Sequence, residues 1–133
     1  ATLSFARASA GDLSIAARNT GAIFFEKGAD AGRAAFVLEG GATTRSGVAF
    51  LDGSSGGTAV FTTKAYGSVN FGPGSDAANA TMINEASGTT YFGGGAKGDR
   101  ATVVNRAGGN LDISGYKGEF VLGSLSGSGN VFL

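Results

Sequence analysis

The chain contains no cysteine, no histidine and no tryptophan, and a single proline among its 133 residues. Without cysteine it has neither a disulfide framework nor a thiolate nucleophile. Without histidine as well, a Ser-His-Asp triad, a Cys-His pair and the common zinc ligand sets all drop out. Charge of one sign is missing too: ten basic and ten acidic residues cancel, and neither sign gathers into a long block. A nucleic-acid backbone is therefore not an expected partner. No run is long and apolar enough for a transmembrane helix, and the first residues show neither the basic start nor the apolar stretch of a secretory signal.

What the chain has in excess is glycine, 25 residues of it. Glycine loses the most backbone freedom on folding, so this content is costly unless many positions need tight turns or close backbone approach. Collagen is excluded because glycine does not recur at every third position and proline is almost absent. A flexible linker is excluded because phenylalanines run the whole length, from Phe5 to Phe132. One domain fits the length.

The order behind this composition is a repeat. Segments starting at Ala59, Ala80 and Ala101 are each 21 residues long: AVFTTKAYGSVNFGPGSDAAN, ATMINEASGTTYFGGGAKGDR and ATVVNRAGGNLDISGYKGEFV. Ala65, Ala86 and Ala107 correspond, as do Gly67, Gly88 and Gly109, and Phe71, Phe92 and Ile113. The aromatic column extends upstream through Phe50 and Phe25, with Phe24 as an alternative, to Phe5, and downstream to Phe132, at spacings of 20, 25, 21, 21, 21 and 19 residues. Variable turns between fixed rungs produce such a pattern.

Within each unit, short alternating stretches such as Val69 to Phe71 and Leu111 to Ile113 read as strands, separated by glycine- and asparagine-rich turns. Gly72-Pro73-Gly74 and Gly93-Gly94-Gly95 interrupt any helical face at equivalent points. The reading is an all-β, right-handed parallel β-helix of about six coils of roughly 19–25 residues. Residues 1–133 form a single β-helical segment, with irregular early coils over 1–37 and clearer repeats over 38–133 ending uncapped. Rungs about 4.8 Å apart would give a rise of about 29 Å. Core candidates are Phe25, Phe50, Phe71, Phe92 and Ile113 in one column and Ala59, Ala80 and Ala101 in another. Thr63, Asn84 and Asn105 form a candidate polar ladder, their side chains bonding along the axis if they point inward. Lys64, Glu85 and Arg106 alternate in charge along a surface column.

Catalysis would have to rest on carboxylates. Asp30 and Asp76 share a phase of the coil with Ser55 between them, so they stand about 10 Å apart, just outside the roughly 5–9.5 Å used by glycosidase pairs. Asp52, Asp99 and Asp112 fall in other phases. Gly93 to Asp99 lacks the Gly-Lys-Ser/Thr end of a phosphate-binding loop, and no calcium-binding nonapeptides occur. No cofactor and no metal are expected. The Asn79-Ala80-Thr81 sequon reads as chance, and the pairs Thr43-Thr44, Thr62-Thr63 and Thr89-Thr90 shift in phase, against a flat ice-binding face.

ATMINEASGTTYFGGG, ATVVNRAGGNLDISG and the closing GSLSGSGNVFL resemble the passenger repeats of bacterial type V autotransporters, best after Ala59 and more loosely over Ala1 to Val37. The resemblance implies a passenger displayed at the bacterial cell surface or secreted, flanked in its parent protein by further coils and a translocation barrel. The expected function is a non-catalytic structural segment for surface presentation, adhesion or self-association, with self-association and host-surface or glycan contact as the expected interactions. The alternatives are a polysaccharide-processing enzyme acting through its acidic residues and an ice- or glycan-binding module.

Overall fold

The computed structural model describes every residue from Ala1 to Leu133. Thirteen strands follow one another: β1 (Thr2–Ala6), β2 (Ser14–Arg18), β3 (Ala22–Glu26), β4 (Ala35–Glu39), β5 (Ser46–Phe50), β6 (Val60–Lys64), β7 (Gly67–Phe71), β8 (Thr81–Asn84), β9 (Thr89–Phe92), β10 (Gly98–Asn105), β11 (Asn110–Asp112), β12 (Leu122–Gly127) and β13 (Asn130–Phe132). They sort into two sheets, a seven-stranded one in the order β1-β3-β5-β7-β9-β11-β13 and a six-stranded one in the order β12-β10-β8-β6-β4-β2. Every pairing is parallel. The fold is a parallel β-solenoid of about six turns. A third, narrow side consists of single bridges linking Ser9, Asp30, Ser55, Asp76 and Lys97 in one column.

The period of two along each strand explains the register. In the seven-stranded sheet, Phe5, Phe25, Phe50, Phe71 and Phe92 are successive partners. From Phe25 to Phe92 these rings are fully buried. Their centroids lie 4.7–5.0 Å apart with the planes within 12° of parallel. Stacking at this distance follows from the rung spacing itself. Phe24 points outward. The six-stranded sheet supplies a second inward column, Ile15, Phe36, Phe61, Met82 and Val103. Phe36 and Phe61 stack at 4.7 Å, and each meets the first column edge-on, Phe36 against Phe25 at 81° and Phe61 against Phe50 at 90°. Ala59 and Ala80 lie just before β6 and β8, and Ala101 lies within β10; all three are fully buried.

Two features of the aromatic column differ from the reading by spacing. Beyond Phe92 the ring that covers the stack is Phe120, at 4.7 Å, while Ile113 is half-buried beside the core. The chain leaves the ladder after Asp112 and folds back, and Gly98 makes this fit, because a Cβ there would stand 2.6 Å from the Phe120 ring. Phe132 pairs with Asp112, one residue out of the inward phase, and is 48% exposed.

Turns carry the length variation. After the seven-stranded sheet, equivalent 1→4 bonds close Glu26–Ala29, Leu51–Ser54, Gly72–Ser75, Gly93–Ala96 and Ile113–Tyr116. Pro73 followed by Gly74 at φ 77° meets the demand for a proline and then a left-handed residue. The longer coil gains its extra residues between β4 and β5, where Gly40 to Arg45 replaces the two-residue connection Ala65-Tyr66 one coil later. Thr44 closes that loop by accepting from the Gly41 amide at Oγ1, 3.0 Å.

Candidate functional site

The polar ladder lies inside the solenoid. Thr63, Asn84 and Asn105 occupy consecutive inward positions above Ala17 and Leu38, each at most 2% exposed. Thr63 Oγ1 donates to Asn84 Oδ1 at 2.8 Å, and Asn84 Nδ2 donates to Asn105 Oδ1 at 3.2 Å and to the Asn110 carbonyl at 2.8 Å. Asn105 Nδ2 donates to the Asn130 carbonyl at 2.6 Å. Thr90, in the opposite sheet, donates to Asn84 Oδ1 at 2.8 Å and completes the network. Its sequence signal was a threonine in the column Ile23, Val48, Val69, Thr90, Leu111, where the neighbours are aliphatic. The aligned glycines serve this corner: a Cβ on Gly88 would stand 2.5 Å from the Thr63 carbonyl carbon, and one on Gly109 would stand 2.9 Å from Asn84 Cβ. The ladder is sealed from solvent, so its chemistry is structural.

Asp30 and Asp76 stand in the narrow bridge column with Ser55 between them. Each closes a local turn. Asp30 Oδ1 accepts from the Gly32 amide, Ser55 Oγ from the Gly57 amide at 3.0 Å, and Asp76 Oδ1 from the Ala78 amide at 2.7 Å. The residue capped in this way takes a left-handed conformation every time, at Gly32, Gly57 and Ala78. Asp76 also faces Arg100 at 3.5 Å. Nowhere do three carboxylates gather into a set able to hold a metal ion. Along the charged surface column Arg106 contacts Glu85 at 2.5 Å and Lys64 contacts Glu39 at 3.5 Å. Asp12 is held below the ordinary carboxylate range by its hydrogen bond to Arg33 and by that guanidinium's charge. Thr62 and Thr89 face outward on different sheets, while Thr63 and Thr90 face inward, so the threonine pairs build no common face.

The main surface depression, about 390 Å³, lies along the outer face of the seven-stranded sheet. Its floor is the outward column Ser68, Thr89 and Asn110, and its outer wall is the next column, Asn70, Tyr91 and Asp112. The inner wall is the corner where β6 turns into β7, formed by Arg45 and Tyr66 with Ser87 and Gly108. Tyr66, Ser87 and Gly108 all have left-handed backbones, at φ 68°, 63° and 77°. Only glycine takes that conformation freely; an ordinary residue loses about 1–2 kcal/mol by it. Tyr66 is nevertheless placed there with its side chain 49% exposed and no part in the core. A second hollow of about 210 Å³ shares Arg45, Ser68 and Asn70 and carries the depression past Gly47 and Ala49 to Phe24. The spacing rules found the strands on which this cleft lies but not the cleft itself, because it arises from small outward residues at Gly47, Ala49 and Ser68 between larger ones.

Comparison with protein-family models, curated proteins and solved structures found no match to this chain. No helix is long and apolar enough to cross a membrane.

Proposed function

We propose that this β-solenoid is a non-catalytic structural element of the passenger type, displayed on or released from a bacterial surface, which presents its outer faces for adhesion or self-association. The passenger-like repeats after Ala59 support the location. The observation that carries the non-catalytic part is the use of Asp30 and Asp76. Each is committed to a backbone amide two residues on, with Ser55 interposed, in a periodic arrangement that closes turns coil after coil. A glycosidase needs two carboxylates facing one bond from opposite sides.

Incubation of the protein with a broad polysaccharide panel, beside Asp30→Ala and Asp76→Ala variants, tests this. The expected result is no turnover in any sample; reproducible turnover lost in either variant would overturn the assignment. Surface display is tested by fusing the chain ahead of an autotransporter translocation barrel. Folded protein accessible to external protease is expected, and retention inside the outer membrane counts against the reading.

A further inference from the structure

We propose that the cleft on the outer face of the seven-stranded sheet, from Phe24 to Asp112, binds an extended uncharged saccharide chain lying along the solenoid axis. This goes beyond the scaffold reading, which stands or falls separately.

The two hollows share residues and follow the axis, so the cleft admits a chain rather than a compact molecule. Its floor repeats one hydroxyl or amide per rung at Ser68, Thr89 and Asn110, at intervals of about 4.8 Å, close to the length of one sugar unit. Hydroxyls and amides both donate and accept, which suits a ligand whose every unit offers hydroxyl groups.

Phe24 and Tyr91 belong to one outward column, three rungs apart with Ala49 and Asn70 between them. Phe24 is 36% exposed, and Tyr91 leans across Gly93 with its hydroxyl over Gly115, where a Cβ would stand 2.3 Å from it. Rings of this kind cover the apolar faces of sugars while the polar floor meets their edges. Tyr66 adds a third ring from the inner wall, at a backbone geometry its column neighbour Gly108 occupies without strain.

Arg45 at one end and Asp112 at the other are the charged members of the polar hollow, and they cancel. Asp112 is further engaged by the Ser114 amide and hydroxyl. A polyanion such as nucleic acid or a polyuronate finds no complementary field, and an uncharged hydroxyl-rich chain does. A peptide strand has no free sheet edge to pair with on this face.

The test uses affinity electrophoresis in gels carrying neutral glucans, mannans or galactans, followed by titration with soluble oligosaccharides of increasing length. Because the chain lacks tryptophan and two of its three tyrosines, Tyr66 and Tyr91, line the cleft, tyrosine emission reports occupancy directly. Retardation by at least one neutral polysaccharide is expected, with affinity rising with oligosaccharide length. Tyr91→Ala and Phe24→Ala should each weaken binding about tenfold, and Ser68→Leu, which removes a floor hydroxyl and fills the floor beside Thr89, should abolish it. Arg33→Ala, away from the cleft, should bind as the parent does, and circular dichroism confirms the fold of each variant. Retardation by none of the neutral polymers, by polyanions or peptides alone, or unchanged by Tyr91→Ala and Ser68→Leu, would overturn the proposal.

Discussion

Asn84 is the residue on which most of the interior polar geometry converges. Its carboxamide accepts from two threonine hydroxyls and donates to Asn105 and to a backbone carbonyl. In a fully buried site each orphaned partner costs about 1–3 kcal/mol, whereas the net gain of a satisfied bond is nearer 1 kcal/mol. Asn84→Ala should therefore destabilise by about 3 kcal/mol or more, seen as a lower urea midpoint. Ser54 is the opposite case. Its buried hydroxyl has no partner, and its column neighbour one coil earlier is Ala29. Ser54→Ala should leave stability unchanged or raise it by about 1 kcal/mol in the same titration. Asparagines at 84 and 105 were visible as a recurrence in the sequence, yet recurrence alone does not say which way a side chain points. Burial comes from the alternation that also sends Met82 and Val103 inward, and that phase becomes clear only once the strand limits are known.

At the level of elements, strands are constant and connections vary. Removing Gly41 to Thr44 would leave Gly40 and Arg45 as a two-residue link like Ala65-Tyr66. Loop entropy changes slowly with length, and Arg45 would take the left-handed position held by Tyr66, so the shortened protein should still fold, destabilised by no more than about 2 kcal/mol, measured by thermal melting. Contacts between neighbouring coils on the surface are weaker still. The Asp12–Arg33 pair at 2.7 Å is highly exposed and is screened by solvent. Because Asp12 titrates below its ordinary range in the folded state, its contribution is present above that range and is lost as pH falls through the lowered value. Arg33→Ala should return the Asp12 titration towards the ordinary carboxylate range, read from its side-chain carboxyl NMR shift. The strands from β6 to β9 were legible from the 21-residue spacing, since hydrophobic period and turn residues agree there. The replacement of Ile113 by Phe120 was not, because it depends on a chain that leaves the ladder and on the space left by Gly98.

For the whole molecule, one repeat length sets one stack. Each coil places its phenylalanine, its alanine and its ladder residue over those of the coil before, so the core is a set of columns rather than a single centre. The aromatic column from Phe25 to Phe92 is the part that spacing alone revealed; the second stack, Phe36 on Phe61, announces itself by the same 25-residue step that separates Phe25 from Phe50. The cleft was beyond reach of such reasoning, since it depends on how turns and outward side chains sit in space. Because the chain has no native cysteine, its register is open to direct measurement by introduced pairs. Thr62 faces Ile83 on the neighbouring rung, and Val104 lies one rung further. Neighbouring rungs fall within the Cα separation of about 4.4–6.8 Å that a disulfide spans, and two rungs, about 10 Å, do not. Mild oxidation should therefore cross-link Thr62→Cys/Ile83→Cys nearly completely and leave Thr62→Cys/Val104→Cys reduced; cross-linking of the second pair, or failure of the first, would contradict the stacked-coil architecture.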